Sequence, residues 1–423
     1  MLSLKQLKHL FILTILPLAG CSLDDTIPKD ELIPRKDFVL TRSDLDFIYE
    51  NNGFALELFK KVAQKEGNKS LVISPLSVTL DFGMVNNGAV GETRDEINNV
   101  IGFKDGSVEE FNSFCKSMMT QSCQVDPTTT LEFANASVVN SFFVPLKKDF
   151  TQRIKDYYSA EVVYKDFFTE DIKGIINSWC NKKTKGMIKE LIHDPVPPDD
   201  YAHFLTATYF KGIWSNQFKK SDTKKESFFC EDGNEVEVRM MHQKSGFRLS
   251  GLTGLGSAIV LPYGNEAFRM NIILPDEGKT IKDILDKVDA ESWTELIDYL
   301  TKPLGVSEID VKIPVFETEY ESSLKEVFLD MGIYKAFTDE ADFSGMTEEK
   351  RVFLNDVKQK TRIKVDEQGS EAAAVVDMSL KGGMSLNPGE PMVWEFHADH
   401  PFIYAITEVS SGAIFFIGQY TGR

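Results

Sequence analysis

From His203 to the C-terminus this chain is a succession of short runs rich in β-branched, aromatic and aliphatic residues, and that succession limits its fold more than any other feature. The runs cover residues 204–209, 235–241, 256–261, 270–274, 308–313, 361–365, 403–409 and 413–419. Each has the length and composition of a β-strand, with turn-forming residues between. So many strands must join into extended sheets, and a second layer must cover their apolar faces. The first half supplies that layer. Helical spacing begins after Ser43 with Leu45, Ile48 and Tyr49, is interrupted by Asn51-Asn52-Gly53, and resumes at Phe54, Leu56, Leu58, Phe59 and Val62. Residues 77–85, 93–101, 151–158 and 172–182 also read as helices, with Gly102 as a C-terminal stop, and 71–73 and 131–144 as strands. Helices and strands do not alternate strictly, so the expected class is α+β, long antiparallel sheets with packed helices.

A chain of 423 residues that is 42% hydrophobic can bury a large core, in one big domain or two ordinary ones. Its formal net charge of -18 repels a phosphate backbone, and nucleic acid is not an expected partner. The basic cluster Lys219, Lys220, Lys224 and Lys225 reads as a solvated loop. At the other end of the chain, Lys5 and Lys8 precede an apolar stretch over 10–18, too short to span a membrane as a mature helix, and then Leu18-Ala19-Gly20-Cys21. That tetrapeptide resembles a bacterial lipobox. The resemblance implies cleavage before Cys21, acylation of its thiol and an outer-membrane lipoprotein held by lipid chains. The acidic Asp24-Asp25 that follows is similar to surface-export signals of such lipoproteins, which implies display at the cell surface. Residues 1–20 are thus expected to be the signal, 21–42 the lipidated cysteine and a polar tether, and 43–423 the folded domain. Cys115 and Cys123 could pair in an oxidising compartment, but a core of this size needs no disulfide.

Enzymatic machinery is missing from the sequence. It holds no G-x-S-x-G, G-x-x-x-x-G-K, H-E-x-x-H or G-x-G-x-x-G motif. His397 and His400, the two histidines that lie close together, would face opposite sides of a strand, a poor arrangement for one metal. No catalytic residue, metal or cofactor is expected.

A series of short motifs carries a family resemblance. Residues 71–78 (LVISPLSV), 209–214 (YFKGIW) with Phe218, 261–263 (LPY), 273–278 (ILPDEG), 311–316 (VKIPVF), 341–345 (ADFSG) and 398–402 (ADHPF) resemble serpin motifs in serpin order. The resemblance spans roughly residues 43–419. It implies a single domain of three β-sheets surrounded by helices, with an exposed reactive-centre loop and no enzymatic activity. It also assigns Ser74, Ser77, Thr206, Trp214 and Gln359 to the shutter and breach of the main sheet, where Thr206 and Gln359 replace the asparagine and histidine usual in the family.

Residues 365–379 (VDEQGSEAAAVVDMS) are similar to the hinge of inhibitory serpins, with Glu367, Gly369, Ser370, Ala372, Ala373 and Ala374 as hinge residues. Periodicity speaks to the same stretch independently. Ser370, Ala372, Ala374, Val376, Met378 and Leu380 are all small or apolar, whereas the intervening set holds every charge, which is the period of a strand with one buried face. Gly369, Gly382, Gly383, Asn387 and Pro388 add turn chemistry, so the segment is equally suited to a loop. The resemblance implies a suicide mechanism: a protease attacks the loop, and the freed loop inserts into the main sheet with the protease attached. Residues 383–388 (GMSLNP) are similar to the reactive-bond stretch of a family member, which favours cleavage between Met384 and Ser385, with Gly383 and Lys381 as alternatives. Methionine suits elastase-, chymotrypsin- or subtilisin-like serine proteases, and Lys381 would suit trypsin-like ones. Papain-like cysteine proteases are further candidate partners, and the inhibitor itself is expected to be a monomer. The competing reading is a non-inhibitory serpin acting as a binding module. A charge at Ser370 is expected to abolish inhibition while leaving native stability nearly unchanged.

Overall fold

Thr41 opens the first helix, α1 (Arg42–Glu66), with a capping box: its hydroxyl accepts from the Asp44 N–H while the Asp44 carboxylate accepts from the Thr41 N–H. The computed structural model describes residues 34–104, 106–301, 307–370 and 394–423. Cys21, Ala372, Ala373, Ala374, Lys381, Gly383, Met384 and Ser385 lie outside the described residues. The break expected at Asn51-Asn52-Gly53 is absent, and α1 runs straight through. The cause is tertiary. The Asn51 amide donates to Thr79 Oγ1 and the Ile101 carbonyl, and Asn52 donates to the Gly412 carbonyl and accepts from the Ile414 N–H. Side chains committed to neighbours do not compete for their own backbone. The chain already packs ahead of α1, where Phe38 is buried.

Strand β1 (Leu71–Ile73) leads into α2 (Pro75–Asn86), which Ser74 caps by accepting from the Ser77 N–H. Nearly every residue of α2 is buried, as befits a helix apolar on all faces. Next come α3 (Gly91–Ile101), ended by Gly102 at φ 87°, and α4 (Val108–Ser122), whose spacing the sequence reading passed over. They are followed by β2 (Thr130–Asn140), α5 (Lys148–Tyr158), β3 (Glu161–Lys165), α6 (Ile172–Lys183) and β4 (Ala202–Ile213). The strand-rich part continues with β5 (Lys224–Phe229), β6 (Glu235–Leu252), β7 (Gly256–Tyr263) and β8 (Phe268–Pro275). After α7 (Ile281–Leu285) and α8 (Ala290–Thr301) come β9 (Ser307–Pro314), β10 (Phe316–Ser323) and α9 (Lys325–Met331). The chain closes with β11 (Lys358–Asp366), β12 (Gly369–Ser370), β13 (Trp394–His397), β14 (Phe402–Glu408) and β15 (Ile414–Tyr420). Lys224 and Lys225, expected in a loop, begin β5, where Lys225 pairs with Glu237.

The smaller sheet has the order β10-β11-β12-β4-β2-β3. The larger network runs β1-β15-β14-β8-β7-β6-β9-β13, with β5 also on β6. Within it the 18-residue β6 pairs with β9 as far as Phe247 and with β7 from Arg248 onward, so one continuous strand joins two of the three expected sheets. Phe210 of β4 meets Phe268 and Phe416 edge-on or tilted, which locks the smaller sheet onto the larger. The cysteines Cys115 and Cys123 are free thiols, and burial pushes the Cys115 thiol far above its ordinary range.

Candidate functional site

Two residues, Gly369 and Ser370, form a strand between β11 and β4. Ser370 pairs with Val365 on one side and Gly212 on the other, and Gly369 with Asp366 and Ile213, antiparallel in both directions. Among the described residues β12 is the sole hydrogen-bonded link between β11 and β4. Only glycine suits position 369: its φ is 156°, and a Cβ there would lie 2.0 Å from the Gly212 carbonyl oxygen.

The aromatic residues of the YFKGIW and LPY motifs hold this junction. Trp214 stacks on Tyr263 with ring centroids 4.4 Å apart and planes 13° from parallel. Its indole N–H donates to the Asp366 carbonyl at 2.9 Å, and its backbone N–H donates to the Gln368 carbonyl at 2.8 Å. The Tyr263 and Ser370 hydroxyls are 2.7 Å apart, and burial drives the Tyr263 phenol well above its ordinary pKa. The Glu367 carbonyl accepts from the Phe218 N–H, and its carboxylate, almost fully buried, lies 3.6 Å from the Arg239 guanidinium. Trp214, Glu367, Gly369 and Ser370 are therefore brought together at one end of the slot between β4 and β11. Tyr263, which the sequence reading recorded within a motif but gave no role, ties them.

Ser370 is 1% exposed. Arginine here would displace the Tyr263 contact, so the intact protein accommodates a charge at this position only with β12 out of the sheet.

Further along the slot, Ser74, Ser77, Thr206 and Gln359 gather around the first turns of α2. Ser74 Oγ donates to the Phe415 carbonyl at 2.9 Å, Ser77 Oγ donates to Ser74 Oγ at 2.8 Å, and Ser77 Oγ is 2.6 Å from Thr208 Oγ1 of β4. From the other side Gln359 of β11 donates to the Ser74 carbonyl at 2.8 Å. Both strands are thus fastened to the same helix end. Thr206 has a separate attachment, with its hydroxyl 2.7 Å from Asp81 Oδ1 of α2 and 2.7 Å from Asn135 Oδ1 of β2. A cavity of about 40 Å³ lies here between β4 and β11, bordered by Ser77, Asp81, Thr206, Thr208 and Gln359. A second, of about 470 Å³, continues it past Asp81 toward Phe204, Leu354 and Lys358. Sequence reasoning missed Asp81, although a single acid in the otherwise apolar, buried α2 was a visible signal.

Phe396 of β13 is buried and His397 reaches Asp310 of β9, which also accepts from His242 and Lys244. His400 instead contacts Asp399 and the Pro275 carbonyl, so the two neighbouring histidines serve different partners.

The sequence matches the family described as serpin (serine protease inhibitor) over residues 49–422. It is 31% identical to Iripin-3 of Ixodes ricinus over 357 residues, 83% of this chain and 88% of that one. The fold is similar to that of the thermophilic serpin tengpin in its native state, with a TM-score of 0.78 and 27% identity over 92% of this chain and 97% of tengpin. It is also similar to human thyroxine-binding globulin complexed with thyroxine, at a TM-score of 0.79 and 25% identity over 89% of this chain and 98% of that one. The family match covers nearly all of the described domain, and the chain belongs to the serpin family.

Proposed function

We propose that this serpin is an inhibitor that traps serine proteases by inserting its cleaved loop between β4 and β11. One observation carries the reading: the register of β12. Residues directly opposite one another in an antiparallel pair share a face. Because Ser370 sits opposite Gly212 and points to the Tyr263 side, continuing that register sets Ala372 against Phe210, Ala374 against Thr208, Val376 against Thr206, Met378 against Phe204 and Leu380 against Ala202. Those β4 residues face α2 and the core, through Phe210 on Phe268 and Thr208 on Ser77. The small and apolar half of the segment therefore matches the face that meets α2 and the core, and the charged half falls on the opposite face, where Leu205 packs with Ile172 and Ile176 of α6 and Lys185 lies over Tyr209. The match runs out at Ala202, where β4 begins, so Lys381, Gly383, Met384 and Ser385 fall past the strand. Cleavage at Met384-Ser385 would free the whole insertable length, and elastase-, chymotrypsin- or subtilisin-like enzymes are the proposed targets.

The test is to mix the protein separately with elastase, chymotrypsin, trypsin and subtilisin, look for a denaturant-resistant complex, and sequence the released C-terminal peptide. A complex with the new terminus at Ser385 is expected. Clean cleavage with no complex and no gain in heat resistance would favour the binding-module reading, to which the likeness with thyroxine-binding globulin gives its support. Lipid attachment at Cys21 is proposed for the same protein, with outer-membrane location. It is tested by loss of fatty-acid labelling and membrane fractionation in Cys21→Ala.

A further inference from the structure

We propose that Asp81 makes strand insertion between β4 and β11 proton-dependent, because its carboxyl must be protonated when the incoming strand closes over it. The inference rests on the insertion reading above and adds its regulation.

The argument starts from hydrogen counting at Thr206. One hydroxyl hydrogen cannot serve two acceptors, yet Thr206 Oγ1 is 2.7 Å from both Asp81 Oδ1 and Asn135 Oδ1. The orientation of Asn135 is set by its amide nitrogen, which donates to the Tyr158 carbonyl at 2.7 Å, so its oxygen is the atom facing Thr206. Both contacts are satisfied when Thr206 donates to Asn135 and a protonated Asp81 donates to Thr206. When Asp81 is ionised it needs the Thr206 hydrogen for itself, and two oxygen lone pairs then face each other beneath β4.

Neighbouring charge does not relieve this. Asp81 is the one ionisable residue of α2. On β11, Lys358 and Lys360 border the first cavity, but Lys358 is exposed to solvent and Lys360 is held by Glu319 and Glu321. On β4, His203 pairs with Asp200. On α6, burial pushes the Cys180 thiol up to about 11, and on α5 it pushes the Tyr158 phenol well above its usual value, so both stay neutral. Asp194, Lys325, Asp356 and Lys358 border the second cavity. Asp81 is partly buried at the edge of both cavities, and that burial raises its carboxyl from 3.8 to about 7, opposed by the Thr206 hydrogen bond.

Insertion would sharpen the effect. The residue that the register sets against Thr206 is Val376, whose side chain would arrive on the face where Asp81 lies. Closing an apolar side chain over a carboxyl disfavours the ionised form further, so insertion takes up a proton above neutral pH and weakens by up to about tenfold per pH unit.

A protease-free assay tests this: a synthetic peptide with the sequence of residues 370–380 is annealed to the intact protein, and the gain in melting temperature is followed with time between pH 6 and 9. The expected wild-type rate falls as pH rises through 7, and the profile of Asp81→Asn is flat. A wild-type rate that does not change with pH, or an Asp81→Asn profile that matches wild type, would overturn the inference and leave the inhibitory reading standing. Failure of the peptide to anneal at any pH would overturn both.

Discussion

Gly369→Ala tests how far the trap depends on seating β12. The added Cβ would lie 2.0 Å from the Gly212 carbonyl oxygen and 2.8 Å from Ile213 Cα, and neither backbone atom can swing aside. Holding β12 in place would then cost about 1–3 kcal/mol in overpacking and about 1–3 kcal/mol in backbone strain. Releasing it costs less. The ladder bonds and the Ser370–Tyr263 contact are worth about 1 kcal/mol each, and the freed residues regain about 1–2 kcal/mol apiece in chain entropy, for a net loss of about 1–2 kcal/mol. With an unfolding entropy of about 2.1 cal/mol/K per residue, a domain of this size loses roughly 2 °C in melting temperature. The inserted state has no such escape, because a strand threaded from its first residues must keep residue 369 in the sheet. Gly369→Ala should therefore melt within a few degrees of wild type, be cleaved at the wild-type rate, and give mostly cleaved product where wild type gives complex. Scanning fluorimetry and gel quantification of complex against cleaved chain read these quantities. Undiminished complex yield would refute the steric argument, and a loss of ten degrees or more would show that β12 cannot leave.

Three further outcomes follow from the same contacts. Trp214→Phe keeps most of the stack on Tyr263 but strips the Asp366 carbonyl of its donor, and should lower stability by about 1–3 kcal/mol in urea titration at unchanged slope; an unmoved midpoint would show that the carbonyl finds another donor. Ala374→Arg should lower complex formation far more than its neighbour Ala373→Arg, because the register points 374 to the core side of the sheet and 373 to the opposite face beside Tyr209 and Lys185; equal effects would break the register argument. At Asp310 burial favours the neutral acid, but hydrogen bonds from Lys244, His397 and His242 prevail and hold its pKa down to about 2, against an ordinary 3.8. A depressed carboxylate stabilises fully above its ordinary pKa and loses that contribution as pH falls through the lower value. Asp310→Asn should therefore melt below wild type at pH 6, with the gap closing between pH 4 and pH 2; a constant gap would assign the loss to shape rather than charge.

What could be read from the sequence was whatever depends on local pattern. The strands that pack a whole face, such as β8 and β15, declared themselves because burial demands a near-continuous apolar run, and their observed bounds differ from the expected ones by a residue or two. β10 did not, since Glu317, Glu319 and Glu321 alternate along it and its Phe316, Thr318 and Tyr320 face is short and partly polar. The uninterrupted α1 could not be read either, because the partners that keep Asn51 and Asn52 from turning the backbone come from Thr79, Ile101 and residues 412–414, far along the chain. The slot shows the same division. Alternation in residues 370–380 was legible, and so was the glycine before it, but the depth to which Ser370 is already seated depends on Tyr263, Trp214 and Gly212 meeting from three separate segments. Thr206 and Gln359 stood out in the sequence as substitutions, and their consequence is geometric. Gln359 still spans from β11 to the Ser74 carbonyl, so the β11 side of the shutter keeps a neutral tie whose strength does not vary with pH. Thr206, shorter than asparagine, instead meets the acid that α2 places beneath it. The pH sensitivity that a histidine on β11 would have supplied is thereby moved to the β4 side, where a proton on Asp81 decides whether the strand above it is satisfied.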